Sequence, residues 1–138
     1  MNNKQNKLLD SLNISRDDVL ETGYLIHNEN IVDVHIICLK FFDQKFSNIT
    51  RNEKFEEQIG FRITNAKAFN TFLFTDAVDV VVCDKNNKVI ATYSSMPVQK
   101  ATSYYKNGWY IYVFAKKMIK FLNLGTNDYL TIGNYKYI

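Results

Sequence analysis

The chain has 138 residues, 46% of them hydrophobic and 22% charged, with one Pro and five Gly. These proportions describe one folded domain with an ordinary core, and they exclude a disordered tail, a flexible linker or a low-complexity tract. The net charge of +3 is mildly basic, but only three arginines occur (Arg16, Arg51 and Arg62) and they are scattered; that argues against sequence-specific nucleic-acid readout, which leans on the arginine fork.

Residues 4–23 read as helical. Leu8, Leu9 and Leu12 supply apolar positions, Ser15 and Asp18 form a capping-box pattern, and Gly23 is a stop signal. "IVDVHIICL" (31–39) is β-branched and reads as a strand. "KFFDQKFSNI" follows, with Phe41, Phe42, Phe46 and Ile49 at helical spacing. "QIGFRIT" and "KAFNTFLF" are two further strands with a turn at residues 65–67 between them.

"AVDVVVC" is the clearest strand, and "DKNNK" after it signals a hairpin. Asn86 and Asn87 both tolerate the positive φ that a two-residue type I′ turn demands. "VIATY" is the return strand. "GWYIYVF" (108–114) is another strand, dense in aromatics. "AKKMIKFLN" predicts a short amphipathic helix that buries Met118, Ile119 and Leu122 and stops near Asn123 or Gly125. "DYLTI" and "NYKYI" close as a hairpin through Gly133 and Asn134. Strands dominate, and the helices are too few for regular βαβ units. The expected class is α+β: a β-rich, compact antiparallel or mixed barrel or sandwich with two or three short helices. Residues 1–30 are expected to be an N-terminal helical extension packed on the core, and residues 31–138 a single β-rich domain.

One residue resists this pattern. Asp79 lies mid-strand, sharing a face with Ala77, Val81 and Cys83, while Val78, Val80 and Val82 line the other. A buried carboxyl needs compensation. Asp76 and Asp84 flank the strand, where Asp bonds local backbone groups. Asp79 therefore either accepts from backbone N–H groups, Thr71 or Tyr110 as a structural element, or lines a ligand cleft. "SYYKNGWYIY" interleaves aromatic and basic residues. Tyr104, Tyr105 and Trp109 suit a flat ligand, although strand alternation also accounts for them.

Other chemistry lacks a signal. Cys38 and Cys83 sit in apolar runs and read as small buried hydrophobes, and His27 and His35 have no partner at metal-ligand spacing, so no metal is expected. No nucleophile elbow, P-loop or dinucleotide fingerprint occurs. No catalytic residue and no cofactor are expected. The polar N-terminus reads as neither signal nor anchor, so the expectation is a cytoplasmic chain without a membrane partner and with reduced thiols.

From Asp33 onward the chain resembles a bacterial and archaeal family known as domain of unknown function 192. "FNTFLFTDAVDVVVCDKNNKVI" is similar to that family's "IHTFFMRFPIDVVFLDKDGKVI", and "YIYVFAKKMIKFLNLGTNDYL" to its "YVLELPAGTAEKLGLKVGDRL", both without a gap. "SSMPV" stands where the family has "LKPW", and "LKFFDQKFSNI" is similar to its "TFFKRLKGLMF". Thr71, Phe72, Asp79, Asp84, Val89, Pro97, Tyr110 and Asp128 match the pattern; Asn70 replaces its His, Phe74 its Met and Ala77 its Pro. The resemblance implies a compact β-rich α+β domain without an assigned activity.

The resulting expectation is a non-enzymatic protein-binding or interaction domain. The alternatives are a small-ligand or hydrolytic cleft built from Asp79, Thr71, Asn70, Tyr110 and Trp109, and a weak nucleic-acid binder.

Overall fold

Runs of apolar β-branched residues without polar alternation must be covered on both faces, so they belong at the centre of a sheet. The computed structural model, which describes residues 7, 9–10, 14–41, 59–72 and 74–133, places them there. Its strands are β1 (Val19–His27), β2 (Asn30–Leu39), β3 (Ile59–Thr64), β4 (Val78–Cys83), β5 (Val89–Met96), β6 (Tyr110–Ala115) and β7 (Leu130–Gly133). They form one seven-stranded sheet in the order β5-β4-β6-β3-β2-β1-β7. Strand β2 pairs parallel with β3, and every other pairing is antiparallel. One short helix, α1 (Met118–Leu122), follows β6, and a 3-10 turn (Arg16–Asp18) precedes β1.

The alternation within β4 and β6 sorts their side chains into two cores. Val78, Val80, Val82, Ile111 and Val113 pack with Ile37, Leu39 and Phe61 under Leu9, Ile14 and Phe74. On the other face Val81, Cys83, Tyr112 and Phe114 pack with Leu25, Ile36, Val89 and Leu130 beneath Met118 and Ile119 of α1. Every residue of β4 is buried, Asp79 included.

The sheet is open, yet its edges approach each other at one end. Lys88 and Tyr129 form an isolated bridge. Around it Val89 N–H donates to Asp128 O (2.7 Å), Asn127 N–H to Val89 O (2.9 Å) and Leu130 N–H to Asn87 O (2.9 Å).

Several expectations change. Residues 19–27 form a strand, not the end of a helix. The capping-box residues make only the 3-10 turn, in which Ser15 Oγ accepts from Asp17 N–H. Gly23, read as a helix stop, lies inside β1. A Cβ there would collide with the Gly133 carbonyl and Ile132, so glycine is what lets β1 and β7 close together. Tertiary pairing on both sides of β1 outweighs its local helical signals. Of the strand expected over 67–74, residues 67–72 and 74 are instead irregular chain, joined to the rest by a bridge between Asn70 and Ala101.

The β4–β5 turn also differs. Only Asn87 takes positive φ (70°), and Asp84 Oδ1 accepts from the N–H groups of Asn86 and Lys88. That is a three-residue turn closed by one left-handed residue, in place of type I′. Helix α1 ends as expected at Asn123, with φ 56°. Of the helix expected over 40–49, residues 40 and 41 are irregular and 42–49 lie outside the described residues, as does the last strand over 134–138.

Candidate functional site

Asp79 is fully buried, and both of its oxygens are engaged. Oδ1 accepts from Ser95 N–H (2.7 Å) and Lys117 N–H (3.1 Å); Oδ2 accepts from Ile119 N–H (2.7 Å). Lys117 is the N-cap of α1, has φ 76°, and makes no capping bond with its own side chain. The first N–H groups of a helix have no partner within it. Asp79 supplies the missing oxygens from the adjacent sheet, doing across space what an N-cap Asp does locally. It also holds Ser95, which carries φ 48° near the end of β5.

Thr71 and Asn70 serve the next stretch of chain. Thr71 is fully buried. Its hydroxyl donates to Pro97 O (2.7 Å) and accepts from Lys100 N–H (3.1 Å). Asn70 Oδ1 accepts from Phe72 N–H (3.2 Å). Asp79 and Thr71 thus organise residues 95–100 from two sides, and Asn70 reaches Ala101 only through its main chain.

Tyr110 and Trp109 are not part of that group. Asp79 pairs with Phe114 on β6, whereas Tyr110 pairs with Cys83. At the rise of a strand, four residues separate the two positions by roughly 13 Å. The Arg62 guanidinium lies over the Tyr110 ring, 4.5 Å from its centroid, and its Nη2 donates to Glu21 Oε1 (2.9 Å). Cys38 and Tyr112 complete this cluster. Burial pushes the thiols of Cys38 and Cys83 up to about 12 and raises the Tyr112 hydroxyl as well. A thiol kept protonated is a poor nucleophile, so neither cysteine is poised for attack at neutral pH. No group of three or more His, Cys, Asp or Glu among the described residues is placed to hold a metal ion.

Trp109 opens onto different chemistry. Its N–H donates to Cys83 O (2.8 Å) and its carbonyl accepts from Ala66 N–H (3.2 Å), so the end of β4 and the chain after β3 hold it in place. Beside it is a cavity of about 450 Å³ lined by Lys67, Asp84, Lys85, Asn86, Lys106, Asn107, Gly108 and Trp109. Lys85 Nζ sits 4.3 Å from the indole centroid and Lys67 Nζ 6.0 Å from it. Lys67 Nζ donates to the carbonyls of Lys106 (3.0 Å) and Gly108 (3.1 Å). A Cβ on Gly108 would stand 3.0 Å from Ala66 O and 3.1 Å from Tyr105 O, so Gly108 lies against closely packed main chain.

Lys67, Lys85 and Lys106 form no ion pair with a carboxylate of the described residues. Asp84, the one acid in the lining, has Oδ1 occupied by its own turn. Trp109 was legible as a candidate from the sequence. The three lysines were not, because they come from three separate segments. The one available signal was Lys106, three residues before Trp109 in "YYKNGWY".

No family model matches the chain, and no curated protein matches it. Solved structures do. A protein from Sinorhizobium meliloti described as a "putative transcription regulator" aligns with a TM-score of 0.62 at 9% identity, over 81% of this chain and 92% of its own. A protein of unknown function from Novosphingobium aromaticivorans aligns with a TM-score of 0.61 at 5% identity, over 80% and 83%. A hypothetical protein from Synechocystis gives 0.51 at 13% identity, over 81% of this chain and 18% of its own. At these identities the likeness is one of fold. No helix among the described residues is long and apolar enough to cross a membrane.

Proposed function

We propose that this chain is a non-enzymatic binding domain, a diverged member of the family called domain of unknown function 192, whose recognition face is the Trp109 cavity. The observation that carries this reading is the contrast in how charge is used. Among the described residues, the one fully buried carboxyl, Asp79, has both oxygens committed to main-chain N–H groups, whereas three lysines line the cavity beside Trp109 without a carboxylate partner. Convergent polar groups around an aromatic wall are the usual makings of a binding site.

The same reading takes the architecture as a partly opened barrel, in which the Lys88–Tyr129 bridge joins the two sheet edges. It takes the protein as cytoplasmic, in keeping with two buried free thiols.

The test is amide NMR with a panel of small anions, neutral compounds and peptides, run beside hydrolytic assays. Shifts should concentrate at residues 66–68, 84–86 and 106–109. Hydrolysis by the wild type that disappears in a folded Asp79→Asn variant would overturn the reading in favour of an Asp79-centred site.

A further inference from the structure

We infer that the Trp109 cavity takes a mononucleotide, or more generally a planar aromatic group carrying one phosphate monoester. The inference rests on the binding-domain reading and names its ligand class.

Charge is the first argument. The lining residues include three lysines and one aspartate, a formal net charge of +2. A phosphate monoester carries about −1.5 to −2 at neutral pH, which balances it. Lys67 is held in place by two carbonyls of the cavity wall, which accept from its amine. Its positive charge is therefore a fixed feature of the site. Lys85 and Lys106 are exposed and free to close on an anion from the rim.

The second argument is the wall. The Trp109 indole is half-buried, anchored through its main chain at both N–H and carbonyl, and Lys85 lies over its ring. An ammonium on an indole face holds the place that a second flat π-system fills. When a base stacks there, Lys85 is released by a short swing and its amine meets the phosphate. Stacking and ion pairing are then made together, so a ligand with both parts gains more than one with either alone.

The third argument separates a single nucleotide from a strand. A volume of about 450 Å³ lies within the range of small-ligand sites, roughly 300–1,000 Å³. The groove across Asn86 is lined by Ile26, Asn28, Glu29, Asn87, Tyr129 and Thr131; it contains no cation and has an acid, Glu29. A polynucleotide needs a basic track that follows its backbone, and on this side the positive lining stops at the turn.

Trp109 is the only tryptophan in the chain, so its emission reports on the site without a label. The experiment titrates the full chain with adenosine monophosphate, adenosine and inorganic phosphate. The monophosphate should quench Trp109 saturably, with adenosine and phosphate each at least about tenfold weaker. Lys85→Gln and Lys106→Gln should each weaken the monophosphate about three- to tenfold, and Lys120→Gln, on α1, should leave it unchanged.

The inference is overturned if emission shows no saturable change up to about 10 mM monophosphate. It is equally overturned if both lysine variants titrate like the wild type, or if an oligouridylate binds while the monophosphate does not. Amide shifts at the cavity with another compound, alongside a silent monophosphate, would reject the ligand class and leave the binding domain standing. Shifts with nothing in the panel would reject both.

Discussion

The two ends of β4 treat charge in opposite ways. At its start Asp79 lies inside the protein with three N–H donors aimed at it, and it organises the first turn of α1 and the exit of β5. At its finish Cys83 and Asp84 lead into a turn where Lys85 leans on Trp109, and Lys67 and Lys106 face the same cavity. A charge satisfied by main chain stabilises the fold and is closed to ligands. Charges of one sign left side by side destabilise slightly and are open to a partner. Stability measurements should therefore separate the two ends cleanly.

The largest effect is expected at Asp79. Asp79→Ala leaves the N–H groups of Ser95, Lys117 and Ile119 without this acceptor; the Ile119 N–H is buried, and such an orphan costs on the order of 1–3 kcal/mol, while those of the exposed Ser95 and Lys117 add less. A loss of about 3 kcal/mol in urea unfolding is expected, partial relaxation offsetting the rest. Asp79→Asn keeps one acceptor oxygen and should lose less. Equal midpoints for wild type and Asp79→Ala, with matched slopes, would erase the contrast between the ends.

Next comes Gly23→Ala, which asks whether the β1–β7 edge is as closely packed as the centre. The added methyl meets the Gly133 carbonyl, which is main chain and cannot rotate away. The expected cost is about 1–3 kcal/mol, as for other overpacked sites. Unchanged thermal stability would show that β7 pairs more loosely than the register implies.

A smaller, pH-limited effect belongs to the seam where the sheet edges approach each other. His27 Nε2 lies 2.8 Å from Asp128 Oδ2, which also accepts from Gly125 N–H (2.9 Å). The bond to His27, then that to Gly125, holds the Asp128 carboxyl below its ordinary range. Its contribution is therefore complete above the unfolded value near 3.9 and is lost as pH falls through the lower folded value. Wild type should exceed Asp128→Asn in stability at pH 6, and the gap should shrink below about pH 4. A gap that persists unchanged to pH 2 would mean that the pair contributes nothing through ionisation.

The smallest effect is expected at the open end. Lys85→Gln and Lys106→Gln should change unfolding free energy by no more than about 0.5 kcal/mol, the range of ordinary surface substitutions. A clear destabilisation by either would place that lysine among the structural residues and bring the two ends into line.

The faces of β4 and β6 were legible from alternation alone. Val78, Val80 and Val82 do separate from Val81 and Cys83, and Ile111 and Val113 from Tyr112 and Phe114. Helix α1 was legible too, in its buried Met118 and Ile119 and its left-handed Asn123 stop. Strand β1 was not. Its Ser15–Asp18 pattern and Gly23 copy helix punctuation, and only pairing with β2 and β7, each distant in energy terms from local propensity, decides against it.

Sequence by itself determined that Asp79 needed compensation, because burying an unpaired carboxyl costs more than a domain of this size can spare. It also determined that a strand-rich core would enclose that residue, since period-two alternation survives any choice of strand order. Tertiary structure alone decided which N–H groups meet Asp79. Ser95, Lys117 and Ile119 become its neighbours only once β5 and α1 are folded against β4. It likewise decided that Lys67, Lys85 and Lys106, with 39 positions between the first and the last, line one cavity beside the indole. Local periodicity records which face a side chain takes. The partner on that face is set by the order and register of the strands, and no local pattern encodes those.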